Sequence, residues 1–254
     1  MANILLVRAL AKPLLLTFLA FMIVNPNTNK AIDVLFEDNH LLIIDKPAGL
    51  LSQADHTGDP DILTIAKDYL AKKYQKPGKV YLGLVHRLDR PVSGVMILAR
   101  TSKAASRLSE QVRNHEWTKT YEAVVEGNVP KSLLLTHYLQ KNGELNKSVV
   151  VNEKGENAKK ATLDVKVIGS TKGHTLVSVN LISGRSHQIR VQLSANGTPI
   201  FADIKYGAKR HPKALDIALR SKTIGFVHPV SKEKMTISSE RLSAKKPWNL
   251  FKLG

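Results

Sequence analysis

Over most of the chain, apolar residues alternate with polar ones or run together in short blocks, and they take helical spacing in three places. After Asp33, the run DVLFE, the turn-like Asp38-Asn39 and the run HLLIIDK read as a hairpin of apolar strands. It stops at Lys46, Pro47 and Gly49, because proline cannot donate to a ladder and glycine brings no side chain to pack. Between Asp61 and Gln75, residues Ile62, Leu63, Ala66 and Leu70 share one helical face, and Lys76-Pro77-Gly78 closes the segment. VYLGLVHRLDRPVSG mixes glycine, proline and charge among apolar residues and predicts a loop leading into the strand VMILAR. Ser102 is the expected N-cap of a second helix through Asn114, with Ala104, Leu108 and Val112 on its apolar face. Four strands follow in TKTYEAVVEG, LLLTHYL, KATLDVKVI and HTLVSVNLI. SHQIRVQLSANG then predicts a third helix, with Ile189 and Leu193 on one side and Asn196-Gly197 as its stop. IGFVHPV and KMTIS suggest two more strands, and LSAKKPWNLFKLG a basic tail that docks by Trp248 and Phe251. Strands in runs interleaved with a few helices predict an α+β fold with a mixed, largely antiparallel central sheet and flanking helices. No repeat or low-complexity linker divides it, so residues 30–254 are expected to form a single domain.

Residues 1–29 stand apart. Ile4 to Val24 is apolar, interrupted by Arg8, Lys12, Pro13 and Thr17. Basic residues come first and Leu14 to Val24 has the character of a short targeting core, yet no small-residue cleavage pattern follows. Arg8, Lys12 and Pro13 break the roughly 20 uninterrupted apolar residues that a membrane span needs. The segment reads as a disordered tail, or as residues ahead of a working start at Met22, and no stable membrane association is expected.

Charge narrows the partner class. The chain carries 38 Lys and Arg against 21 Asp and Glu, a formal charge of +17 over 254 residues, which attracts a polyanion by long-range field. With no cysteine, disulfides, thiolate zinc sites and cysteine nucleophiles drop out, and the composition suits a reducing, cytoplasmic setting. The nine histidines form no HExxH or close helical pair, so no metal is expected, and no dinucleotide-binding glycine fingerprint is present.

Candidate chemistry gathers in two places. HRLDRPVSG, His86 to Gly94, sets one carboxylate, Asp89, among Arg87, Arg90 and His86, with Pro91 and Gly94 to fix the loop. Taken alone, this is also what a salt-bridged surface aspartate looks like. LISGRSHQIRVQLSANGTPIFADIKYG, Leu181 to Gly207, concentrates Arg185, His187, Gln188 and Arg190 at a strand-to-helix junction, where backbone N–H and guanidinium groups can bind phosphate.

These two blocks, with DNHLLIIDKPAGLLSQ before them and TKTYEAVVEG between, resemble the RluA-like RNA pseudouridine synthase family from about Asp33 to about Pro229. The resemblance implies the fold of that family and isomerisation of uridine in a structured RNA, ribosomal or transfer, without cofactor or metal, by a protein taken as monomeric. It places the essential carboxylate at Asp89, the base-stacking aromatic at Tyr121 and the carboxylate-pairing arginine at Arg190. Arg87 is implied to fill the gap left by an extruded base, and Arg185 and His187 are candidate RNA-backbone contacts. Asp89 could attack C1′, add to C6 of the base or take the C2′ proton. The family loop usually has Thr-Ser-Gly where this chain has Val92-Ser93-Gly94, a change that removes a hydroxyl from the loop. Many members carry a small basic RNA-binding domain ahead of the catalytic one. No room for it is expected here, which leaves target choice to the catalytic domain's own charge.

Two other readings share these residues. A non-catalytic RNA chaperone would use the same charge and aromatic surface but has no need of Asp89, Tyr121 and Arg190 together. An RNA N-glycosidase would need a second carboxylate to activate water, for which Asp203 and Asp45 are the candidates.

Overall fold

The computed structural model describes residues 22–24, 29, 31–211, 216–240 and 246–251. Among these, the strands are β1 (Met22–Val24), β2 (Ala31–Glu37), β3 (Leu41–Lys46), β4 (Gly83–Leu84), β5 (Ser93–Ala99), β6 (Thr118–Glu126), β7 (Ser132–Asn142), β8 (Lys147–Val151), β9 (Lys159–Thr171), β10 (His174–Leu181), β11 (Leu219–Val227) and β12 (Lys234–Ser238). The α-helices are α1 (Ile62–Lys73), α2 (Ser102–Arg113) and α3 (Gln188–Ala195).

One sheet takes the strands in the order β1-β2-β3-β5-β11-β6-β10-β9-β7-β8, with β12 added to β11 and β4 to β5. Neighbours run antiparallel except β5 and β11, which are parallel. This is the mixed, largely antiparallel sheet expected of the pattern. Its two faces are both covered, as the alternation along β3 and β5 requires. Leu42, Ile44, Met96 and Leu98 join the core under α1, whereas Leu41, Ile43, Val95 and Ile97 join a second core under α2. That is why LLIIDK and VMILA read as unbroken apolar runs.

The helix ends follow from capping. Asp61 accepts from the Thr64 N–H at 3.0 Å and starts α1, which closes on Lys72 and Lys73 where the helix dipole favours cations. For α2 the cap is Thr101, not Ser102: its hydroxyl accepts from the Ala104 N–H at 3.1 Å. Trp248 and Phe251 pack against the main core, as the tail was expected to do.

Four elements depart from the pattern, the smallest being β4, which pairs with β5 inside the segment expected to be a loop. The strand expected from Ile224 begins at Leu219, because Arg220 and Ser221 are buried and Arg220 Nε donates to Glu122 at 2.8 Å; a paired polar strand is invisible to hydropathy. The hairpin partner β8 was not expected at all, since five residues opening on a lysine and a serine give little periodicity. Met22–Val24, read as part of a segment outside the domain, pairs with β2 as an edge strand with Ile23 buried. The targeting-like residues before Met22 lie outside the described residues. No helix among the described residues is long and apolar enough to cross a membrane.

The registers prepare a site. Lys46 on β3 faces Gly94 on β5, Gly94 faces Ser221 on β11, Ser221 faces Tyr121 on β6, and Tyr121 faces Val179 on β10. One row across five strands therefore joins the DKPAG loop, the end of the HRLD loop and the KTYEA strand.

Candidate active site

The HRLD loop is closed by a turn in which the Val92 N–H donates to the Asp89 carbonyl at 3.0 Å. Val92 itself is buried, so the missing threonine hydroxyl is replaced by apolar packing while the backbone bond holds the turn. The loop can lie this close to the sheet because Gly94 has φ +112° and no side chain: a Cβ there would stand 2.1 Å from the Ser221 carbonyl oxygen. Behind the turn, the fully buried Lys46 ammonium donates to the carbonyls of Leu50 (2.8 Å), Pro47 (3.1 Å) and Arg90 (3.3 Å), and the Gly49 N–H donates to Arg90 at 2.8 Å. Ser52 accepts from the Leu88 N–H and donates to its carbonyl, at 3.1 and 2.6 Å. The segment from Lys46 to Ser52, whose KPAG start also reads as a plain strand terminator, thus clamps both sides of Asp89. His86 is the fixed base of the loop. Its Nε2 accepts from the Ile97 N–H at 2.9 Å, its ring meets Trp117 edge-on, and burial, aided by the Lys119 charge, pushes it down to about 3.

Asp89 is partly exposed, its side chain 30% accessible. It accepts from Arg190 Nη1 at 3.0 Å and stands 3.6 Å from His187 Nε2. Arg190, 5% exposed on α3, also gives Nε and Nη2 to the two oxygens of Asp203 at 2.7 and 2.8 Å, and its guanidinium lies over the Tyr206 ring at 4.9 Å. Burial opposes the Arg190 charge, and Asp203, then Asp89, outweigh that and hold it above its already high ordinary value.

His187 sits in the left-handed region, φ 53°, a turn that aims its ring between Asp89 and Tyr206. Burial, against the pull of Asp89, holds the imidazole below its usual range. The Tyr206 hydroxyl accepts from the Ser148 N–H at 2.9 Å and meets His187 Nδ1 at 2.7 Å. Burial raises the phenol, so Tyr206 keeps its proton beside Nδ1, and the ring is held with Nδ1 on Tyr206 and Nε2 toward Asp89. Gln188 fixes the preceding loop: its Oε1 accepts from the Ser183 hydroxyl and the Arg185 N–H, both at 2.9 Å.

Tyr121 is 7% exposed and forms a wall of the same pocket. Burial, then the charge of Asp89, push its hydroxyl up to about 12, with the Ser221 hydroxyl opposing. The pocket is lined by all six residues singled out in the sequence: Arg87, Asp89, Tyr121, Arg185, His187 and Arg190. Arg87 and Arg185 are the exposed members at its mouth, and Arg185 Nε is tied to the Lys160 carbonyl at 3.1 Å. His187, a candidate RNA-backbone contact by the resemblance, has 11% of its side chain exposed and stands beside the carboxylate.

Pattern reading passed over Tyr206 as a support, and named Gln188 and Asp203 without their actual roles. Asp203, 1% exposed, is fully engaged with Arg190, and Asp45 accepts from the Ser239 hydroxyl at 2.6 Å. Neither lines the pocket, so neither is set to activate water there. A signal existed: an aspartate inside the apolar run IFADI has to find a buried cation.

Residues 40–195 match the family described as RNA pseudouridylate synthase. Among similar proteins, the ribosomal large subunit pseudouridine synthase C of Buchnera aphidicola subsp. Schizaphis graminum is 35% identical over 219 residues, 81% of this chain and 66% of that one. The ribosomal large subunit pseudouridine synthase D of Zymomonas mobilis is 29% identical, over 82% of this chain and 69% of that one. The chain thus spans about two thirds of the length of these relatives. Among solved structures, human RNA pseudouridylate synthase domain containing 4 shares the fold, with a TM-score of 0.67, 23% identity and coverage of 82% of this chain and 87% of that one.

Proposed function

The chain belongs to the RluA-like RNA pseudouridine synthase family, and on that premise we propose that it isomerises a uridine of ribosomal RNA to pseudouridine with Asp89 as the catalytic carboxylate. The observation that carries the reading is the pairing of a partly exposed Asp89 with the buried, doubly anchored Arg190 beside the Tyr121 wall. Ribosomal RNA as substrate is supported by the names of the bacterial relatives.

The reaction breaks the N1–C1′ bond, turns the uracil and joins C5 to C1′; the C5 proton leaves and N1 ends with one, so nothing is gained or lost overall. A carboxylate is needed at the sugar and base face, and Asp89 supplies it. Arg190 sets its orientation by a charge-assisted hydrogen bond. The Tyr121 ring gives the freed uracil a surface to stay on, a contact on the order of 1–3 kcal/mol per base. A uridine in a stem must be extruded at a cost of a few kcal/mol, and Arg87, exposed at the mouth, is the side chain that fills the vacated stack. Arg185 holds the neighbouring backbone.

The test is a carbodiimide primer-extension map of ribosomal RNA from cells lacking the protein, complemented with the intact chain or with Asp89→Asn. A pseudouridine stop that disappears and returns only with the intact chain supports the reading. If no stop changes, or if Asp89→Asn restores it, the enzymatic role of Asp89 is wrong, and the chaperone alternative gains.

A further inference from the structure

At the end of β5 away from the HRLD loop, the chain builds a second surface that the pocket does not use. The segment from Ala71 to Leu82, AKKYQKPGKVYL, holds Lys72, Lys73, Lys76 and Lys79 around Tyr74 and Tyr81, with no acidic residue. Every residue from Lys72 to Lys79 is exposed. The dipole of α1 accounts for Lys72 and Lys73 at its last turn but not for Lys76, Lys79 or the exposed ring.

Tyr74 is the centre. It keeps 44% of its surface exposed although it is held at two points: its hydroxyl donates to Glu37 at 2.6 Å, and the Arg100 guanidinium lies over its ring at 4.7 Å. Lys73 and Lys76 bring their ammonium groups to 5.6 and 6.0 Å from the same ring. Glu37 is itself bound by Lys73 at 2.8 Å and Arg100 at 3.2 Å, and so locks the cluster together. An exposed aromatic that is already immobilised loses little entropy when a flat partner stacks on it. Lysines around such a ring match a base flanked by phosphates, and the platform-plus-cation arrangement is that of single-strand binding surfaces.

We propose that the Tyr74 surface is a second RNA-binding site, which stacks an unpaired base and pairs its flanking phosphates with Lys76 and Lys79. Along β5 from Gly94 to Arg100 it lies about 20 Å from the Asp89 pocket. It rests on the reading that the chain acts on RNA, and it gives the catalytic domain a means of gripping its target beyond the modified nucleotide.

The test is fluorescence anisotropy of the full chain with a fluorescein-labelled ten-residue oligoadenylate, which offers the pocket no uridine. Tyr74→Ala weakens binding about tenfold and Tyr74→Phe keeps it, in line with stacking. Lys76→Glu with Lys79→Glu weakens binding and lowers the slope of log affinity against log salt by about 1.4, for two phosphate contacts on a single strand. Thermal melting of the Tyr74→Phe and double-lysine variants checks the fold, since those changes alter exposed groups. If the intact chain makes pseudouridine yet fails to bind oligoadenylate, or binds it equally well in all these variants, the second site is wrong and the catalytic reading stands. A loss in Tyr74→Phe as large as in Tyr74→Ala also overturns it, because the tyrosine would then act through Glu37. A chain that neither binds RNA nor forms pseudouridine removes both readings.

Discussion

Arg190 donates through Nε and Nη2 to both oxygens of Asp203, at 2.7 and 2.8 Å, so the direction of its remaining Nη1 bond to Asp89 is set by a residue outside the pocket. The planar fork makes this possible, and a lysine could not serve the two carboxylates with the same fixed geometry. Asp203 is therefore a positioning residue. In Asp203→Asn one arm of the fork is lost and Arg190 is free to swing. The expected outcome is a fall in kcat of about 10- to 100-fold with RNA affinity little changed, in line with misplacement by an ångström. Single-turnover kinetics beside an anisotropy titration would check it. Arg190→Lys should do at least as much damage, and a fall in affinity alone would contradict the assignment.

Gly94 makes the second prediction. Its φ of +112° and the 2.1 Å approach of a Cβ to the Ser221 carbonyl leave no room for alanine, and the clash is with backbone. Gly94→Ala should cost about 3 kcal/mol or more, since conformational strain and overpacking add. Urea unfolding measures this, and activity should fall further than stability alone explains, because the parallel contact between β5 and β11 aligns the Asp89 loop.

What was legible follows from where the chemistry lies in the chain. HRLD and HQIR each put several site residues into a single peptide, so Asp89, Arg87, His187 and Arg190 stood out together and meet in one pocket. Lys46, Gly94, Ser221 and Tyr121 share a row only because four strands far apart in sequence pair in one register, and no local pattern encodes that. Lys46 therefore looked like the end of a strand, and LRSKT was not counted into the strand expected from Ile224. Asp203 was visible as a carboxylate, but its burial against Arg190, which decides its role, is a tertiary fact.

Lys46 carries the third prediction. It is fully buried with its ammonium on the carbonyls of Pro47, Leu50 and Arg90. Lys46→Met keeps the length of the side chain and strips the donors, leaving buried acceptors short of partners at about 1–3 kcal/mol each where they find no water. The expected result is faster amide exchange across residues 47–52 and 88–92, with reduced kcat, measured by hydrogen exchange and by product formation.

Tyr121 separates stacking from proton chemistry. With its hydroxyl pushed up to about 12, the phenol stays protonated across the working range, which leaves its ring as the part proposed to meet a base. Tyr121→Phe should retain most of the activity, whereas Tyr121→Leu should lose about 10- to 100-fold, as expected when one stacked base contact is removed. A Phe variant as impaired as the Leu variant would assign the hydroxyl a part in the reaction.

The last prediction concerns acid. His86 has its folded-state value pushed down to about 3 by burial, and its Nε2 accepts the Ile97 N–H, a bond that a protonated ring cannot accept. In the unfolded chain the same ring takes up a proton near pH 6.5. Between those values the unfolded state binds more protons than the folded one, so stability rises with pH there: the contribution of His86 is fully present above about 6.5 and is lost progressively as the pH falls toward 3. His187, lowered by burial and facing Asp89, acts in the same direction. Melting temperature should therefore decline as the pH is lowered from 7 to 4. In His86→Gln, whose side-chain oxygen can still accept from Ile97 but does not titrate, the decline should be visibly shallower. Because His86 anchors the base of the HRLD loop, the same acidification should loosen the Asp89 pocket before the sheet melts. Exchange of the Leu88 and Val92 amides, the first bonded to the Ser52 hydroxyl and the second to the Asp89 carbonyl, reports the loosening, and amides that stay protected while the melting temperature falls would place the acid-sensitive step elsewhere.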